Sequence, residues 1–194
     1  MAVPGTVVEI EGGQSGARVP GLERLLRPAA EGRGFTARPV TLDVLEELHA
    51  LTATSPGMTD ASPTRLLFLI TPVAKGRLVG HLPPSSRDAV LLAPACAVIA
   101  YDHDFAEQLL AFIGDGVAGE SCFDAPGRLR AAALRNRVLQ GAYLTLSARA
   151  LGLDTAFIHG FDGRAVASEF FRGANMSAIF VAALGYPLGP EPSV

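Results

Sequence analysis

The sequence predicts an α+β or α/β domain: a sheet of three or more strands with helices on its faces. Two patterns predict it. Short apolar runs at Leu66–Ile70, Ala95–Tyr101 and Ser177–Leu184 read as buried strands. Between them lie segments with helical periodicity, the longest from Gly127 to Leu151, whose apolar residues Leu134, Val138, Leu139, Ala142, Tyr143 and Leu146 go nearly all round. Strands alternating with helices need a layered arrangement in which each apolar face covers another.

Taken in order, residues 1–20 contain Gly5, Gly12, Gly13, Gly16 and Pro20 and read as a mobile lead-in, with a short strand at Thr6–Ile10. Residues 21–194 read as a single domain, which suits a chain of 194 residues. Gly21–Glu31 suits a short helix with Leu22, Leu25 and Leu26 on one face. Thr41 is a good N-cap, and Leu42, Leu45, Leu48 and Leu51 follow on one helical side. Residues 54–65 form a Ser/Pro/Gly/Asp loop. Thr71-Pro72 is N-cap plus first helical position of a helix running to about His81. Pro83–Asp88 reads as a loop, and the strand at Ala95 ends in an Asp102-His103-Asp104 turn. Residues 105–113 are expected to be helical and Gly114–Pro126 a flexible connection. Asp124 and Pro126 mark the start of the long helix, Gly152 is its C′ stop, and Asp162 caps a helix from Gly163 to Phe171.

Bulk properties narrow the function. The chain is 49% apolar and 18% charged, so it has material for a substantial core. Its net charge of −3 and pI of about 5.8 argue against nucleic acid or an anionic membrane as partner. The start, Met1-Ala2-Val3-Pro4-Gly5, lacks the charged and apolar regions of a signal peptide, and no uninterrupted apolar stretch reaches about 18 residues. A cytoplasmic protein is expected. The two cysteines, Cys96 and Cys122, have no metal-ligand spacing, and Cys96 sits in an apolar run as a buried thiol.

Most common catalytic signatures are missing. No serine stands in a G-x-S-x-G elbow, and neither G-x-G-x-x-G nor G-x-x-x-x-G-K-[ST] occurs. Asp102-His103-Asp104 has the composition of a metal cluster, but alternate residues point apart and nothing at helical spacing completes it. His49 falls on the solvent side of its helix, and His81 ends a helix where a basic group suits the dipole. Two segments remain as site candidates: Ser55–Pro63, and Ala156-Phe157-Ile158-His159-Gly160, read as a loop. Their plainer readings are a surface loop and an apolar core segment.

Several motifs carry a family resemblance in order along residues 22–188. They are Gly34-Phe35-Thr36-Ala37-Arg38-Pro39-Val40, Ser55-Pro56 through Ser62-Pro63-Thr64-Arg65, Ala93-Pro94, Tyr101-Asp102 with Phe105, Arg135-Asn136, Gln140-Gly141-Ala142-Tyr143-Leu144, Leu151-Gly152-Leu153-Asp154, Gly160-Phe161-Asp162, Phe170-Phe171 and Leu184-Gly185-Tyr186. Together they resemble the FMN-dependent nitroreductase superfamily, in particular its malonic semialdehyde reductase (3-hydroxypropionate dehydrogenase-like) branch. The resemblance implies an α+β nitroreductase-like fold with an antiparallel or mixed central sheet flanked by helices, in an intertwined homodimer. It implies FMN at the subunit interface, NAD(P)H as reductant and a small-molecule substrate. It also implies that Pro56, Gly57, Met58 and Asp60, with Phe157, Ile158, His159 and Gly160, meet the flavin, the amides of His159 and Gly160 facing N5 and O4.

The chain departs from the family pattern at four places. Ala30 and Gly32 stand where the family's phosphate-binding turn has its Arg and Ser or His, leaving Arg33, Arg38 or Arg65 to meet the phosphate. Asp60 replaces an asparagine, so a group that donates becomes one that only accepts when ionised. Phe157 replaces a small residue under the ring. The last eight residues, 187–194, contain no cation. Charge-assisted hydrogen bonds contribute roughly 1.5–3 kcal/mol each, so losing two weakens FMN by on the order of 100-fold or more.

Three functions are therefore expected in turn. The first is an FMN-dependent NAD(P)H oxidoreductase acting on a small carbonyl, nitro or enone compound. The second is a relative without tight FMN binding, using His159 and Asp60 as acid–base groups in redox-neutral chemistry. The third is a non-catalytic partner subunit.

Overall fold

The computed structural model describes residues 25–26, 34–55, 64–104 and 126–189, with the backbone alone for 126–137. Nine elements follow in order: α1 (Leu42–Ala53), β1 (Thr64–Leu69), α2 (Pro72–Val79), α3 (Pro84–Leu92), β2 (Ala95–Asp102), α4 (Pro126–Ala150), β3 (Asp154–Ile158), α5 (Gly163–Phe170) and β4 (Met176–Gly185). The expected strand at Thr6–Ile10, the helix at 105–113 and the connection before Pro126 lie outside the described residues, as does Cys122. Of the helix expected at Gly21–Glu31, only Leu25 and Leu26 are described, and both are helical.

The strands form one antiparallel sheet in the order β1-β2-β4-β3. β2 is buried along almost its whole length because it pairs on both sides and is covered on both faces. In β4 the register slips by one residue: Ile99 faces Phe180 and Ala100 faces Ala178, so Ile179 is an extra residue. Such a bulge bends the strand and raises its twist locally.

Each face of the sheet has its own core. On one side Leu69, Val98, Ile158 and Val181 pack with Leu78 of α2, Val90 of α3 and Val166 of α5. On the other, Ala97, Ile99 and Ala182 pack with Leu45 and Leu48 of α1 and Leu144 and Ala148 of α4. In α1, Leu42 is exposed and Leu51 half-buried, so the buried stripe is narrower than the leucine spacing suggests. His49 is exposed, on the solvent side as expected.

The helix ends follow local chemistry. Thr71 Oγ1 accepts from the Ala74 amide at 3.2 Å, with Pro72 opening α2. Asp162 accepts from the amides of Arg164 and Ala165 at the start of α5. Gly152 has φ +76°, the left-handed conformation that ends α4. Thr41 holds the N-cap position of α1, but its side chain makes no cap hydrogen bond there.

Two expectations are corrected. Pro83–Asp88 belongs to a helix: Pro84 sits at the first helical position of α3, where a missing N–H costs nothing. Lys75, buried on α2, holds that helix's end by donating from Nζ to the carbonyls of Leu91 and Ala93. Ala156, Phe157 and Ile158 of the expected loop belong to strand β3. A five-residue edge strand covered on both faces shows no apolar–polar alternation.

Candidate functional site

The site is built where β3 ends. Alternation along β3 sends Ile158 into the core under α2, α3 and α5, and Phe157 to the α4 side, where its ring lies 5.5 Å from that of Phe180. Phe157 is thus half-buried against a neighbouring aromatic. Gly141 of α4 makes room for this pair, because a Cβ there would come within 3.0 Å of the Phe180 ring.

Beyond Ile158 the chain reaches the surface. His159 and Gly160 are both exposed, and Gly160 turns the chain with φ +75°. Among the described residues no backbone carbonyl accepts from the His159 or Gly160 amide. The turn is fixed on its far side by the Asp162 cap and by Gly163, whose missing Cβ lets α5 sit against the Ala178 carbonyl. The outcome is a turn of two exposed residues beside Pro83, the nearest group to a Cβ at Gly160 at 3.9 Å.

Of the other expected site residues, Pro56, Gly57, Met58, Asp60 and Arg33 lie outside the described residues. The foot of their loop is described: Ser55 is buried and its Oγ accepts from Gln140 Nε2 at 3.0 Å, which ties the loop's start to α4. Arg65 lies on β1, at the opposite edge of the sheet from β3, three strand spacings or about 14 Å away. It faces Asp102 at 3.7 Å. Within one chain, then, Phe157, Ile158, His159 and Gly160 come together and Arg65 does not join them. Arg38 stacks over the Tyr186 ring at 3.9 Å, near the bridge between Phe35 and Pro187.

A pocket of about 350 Å³ adjoins the turn, lined by Val138, Phe161, Gly163, Ser177, Ala178, Ile179 and Phe180. It exists because β4 outruns β3: the last pairing is Ile158 with Val181, so residues 176–180 of β4 have no β3 residue beside them. Ser177, in this wall, has its Oγ 3.0 Å from His103 Nε2. Phe161 belongs to the Gly160-Phe161-Asp162 motif, but neither it nor Ser177 is expected from the sequence as a site residue. His103 and Ser177 are 74 residues apart, and only the β2–β4 register, which places Tyr101 opposite Ser177, brings them together. Among the described residues no group of three His, Cys, Asp or Glu side chains is placed to hold a metal ion. Nor is any described helix long and apolar enough to cross a membrane.

The donor set of the turn fits the polar edge of a flavin ring: the amides of two adjacent exposed residues, with no backbone acceptor among the described residues, on a support that excludes side-chain bulk at Gly160 and Gly163.

No family model matches the sequence. Relatives and solved structures do. A protein of Caulobacter sp. (strain K31), named as an NADH dehydrogenase/NAD(P)H nitroreductase, is 36% identical over 165 residues, 85% of each chain. A protein of Stenotrophomonas maltophilia (strain R551-3) with the same name is 37% identical over 166 residues, 85% of this chain and 84% of that one. Among solved structures, a nitroreductase-named protein of Exiguobacterium sibiricum 255-15 in complex with FMN superimposes with a TM-score of 0.68 at 18% identity, covering 91% of this chain and 93% of its own. A nitroreductase-named protein of Bacillus subtilis gives a TM-score of 0.68 at 19% identity, covering 89% and 93%. With relatives this similar over most of its length, the chain belongs to the nitroreductase family.

Proposed function

We propose that the protein is an FMN-dependent NAD(P)H oxidoreductase reducing a small carbonyl, nitro or enone compound, on the malonic semialdehyde reductase side of the family. Its working form is a homodimer of one domain spanning residues 21–194. The observation that carries this reading is the exposed His159–Gly160 turn, whose two amides meet no backbone carbonyl among the described residues. Dimerisation is supported by α4, where Val138 and Ala142 stay exposed beside buried Gly141 and Leu144. A long helix with apolar residues on its outer face suits a second copy.

When bound, the flavin supplies hydride transfer from the nicotinamide to the substrate. The chain's own work is to bind and orient. The His159 and Gly160 amides would donate to the polar edge of a bound flavin, and preorganised donors need no rearrangement to do so. The Asp162 cap and the close approach at Gly163 keep them aimed. Ser55, held by Gln140, fixes the start of the segment whose Pro56, Gly57, Met58 and Asp60 are proposed to meet the same ring. Arg33, Arg38 and Arg65 are the cations proposed to meet the phosphate. Because Arg65 is on the far sheet edge, it serves a flavin shared with a partner subunit better than one held within a single chain.

The test is His159→Ala in an NAD(P)H oxidation assay with a nitroaromatic and with a short-chain semialdehyde. The amide survives the substitution, so turnover should stay within about threefold of wild type. A fall of roughly 10²–10⁴-fold, the size of a lost general acid or base, would overturn a role confined to the His159 amide, and a wild type that oxidises no NAD(P)H with either compound would overturn the oxidoreductase reading itself.

A further inference from the structure

The side chains that line the pocket beside the turn are apolar except Ser177, which meets His103 outside the lining. Several contacts hold that pair. The His103 amide donates to the Asn175 carbonyl at 2.9 Å, and Asn175 Nδ2 donates to Asp104 at 2.7 Å, pinning the end of β2 to the start of β4. The imidazole stands edge-on to the Tyr101 ring at 5.3 Å. Its Nε2 reaches Ser177 Oγ at 3.0 Å. Ser177 is partly exposed, in the stretch of β4 that β3 leaves uncovered.

A hydroxyl has one proton to donate and two lone pairs. When His103 Nε2 carries a proton and donates to Ser177, the hydroxyl proton is released for the pocket. A ligand whose oxygen only accepts, such as a nitro or carbonyl group, selects that arrangement. The remaining walls, from Phe161, Ile179 and Phe180 and from Val138, which also lies on the α4 face proposed to meet the second copy, suit an apolar or aromatic body, and about 350 Å³ is at the small end of ligand pockets.

We propose that this pocket is a subsite for a small apolar molecule bearing a nitro or carbonyl oxygen, with Ser177 donating to that oxygen and His103 as the positioning residue that frees the Ser177 proton. It rests on the oxidoreductase reading for its substrate class alone, and its test needs neither nicotinamide nor turnover.

The probes are 3-fluoronitrobenzene and 3-fluorotoluene, nearly alike in size, of which only the first accepts a hydrogen bond through oxygen. Their affinities for the full-length protein are read by fluorine NMR titration. Wild type should bind the nitro compound about 3- to 10-fold more tightly, the span of one neutral hydrogen bond. Ser177→Ala should remove the preference while retaining affinity for fluorotoluene, and Ser177→Thr should keep it. His103→Ala should lose the preference, and His103→Gln, which can present an amide to the hydroxyl, should restore part of it. A purely structural role for His103 would weaken both probes equally and overturn its positioning role. A preference that survives Ser177→Ala, or no binding of either probe to wild type, would overturn the subsite. A preference retained by protein that fails to hold flavin would leave the subsite standing and reject the oxidoreductase reading, so the two failures are separable.

Discussion

Gly163→Ala tests how the turn is mounted. An added Cβ would lie 2.3 Å from the Ala178 carbonyl oxygen, 3.4 Å from its carbon and 3.6 Å from its nitrogen. All three are backbone atoms. Ala178 cannot yield easily, because it pairs with Ala100 of β2, which is completely buried. The N-terminus of α5 must therefore back away, which loosens the Asp162 cap and the packing of Val166, itself fully buried. Overpacking of this kind costs about 2–3 kcal/mol. For a domain of this size each kcal/mol lowers Tm by about 2–4 °C, so a fall of about 4–12 °C is expected. Thermal unfolding followed by circular dichroism reads it. Gly76→Ala is the matched control: Gly76 lies inside α2 with nothing within 4 Å of an added Cβ. That change should stabilise, by about 0.5–1 kcal/mol, through helix propensity. If Gly163→Ala melts within about 1 °C of wild type, the close approach of α5 to β4 is wrong, and the rigid mounting of the turn fails with it.

Two further outcomes follow from the core. Lys75→Met keeps the bulk but leaves the Leu91 and Ala93 carbonyls without their cation, and chemical denaturation should show a loss of about 2 kcal/mol. Burial pushes the Cys96 thiol up to about 12, with Lys75 opposing. Iodoacetamide at pH 8 should therefore spare the Cys96 peptide in native protein and label it in urea, as read by peptide mass, and rapid native labelling would contradict the burial. The sign of the linkage follows: a thiol whose folded pKa is raised contributes stability below its unfolded value of 9.0, lost as pH rises towards 12.

How far the fold was legible depended on whether its signal was local. Thr71-Pro72, Asp162 and Gly152 act through the chain immediately around them, and each ends a helix where the sequence places it. α3 was misread because Pro83-Pro84-Ser85-Ser86 has loop composition, although Pro84 is also a sound first helical residue. β3 was misread because it is short and covered on both faces, which erases alternation. For the site, His159 and Gly160 stand out through the family resemblance alone; what the structure adds is that both are exposed and that Gly160 has a positive φ. The separation of Arg65 from the turn, and the meeting of His103 with Ser177, depend on strand order and register, which no local pattern encodes.

On the reading proposed above, this chain holds a flavin despite Ala30, Gly32 and a cation-free stretch at 187–194. The near-ultraviolet and visible absorbance of the purified protein, before and after FMN is added and the mixture desalted, decides it. Flavin bands that survive desalting, and that bleach on anaerobic addition of NADH or NADPH, are the predicted result. A colourless protein that releases all added FMN would contradict it.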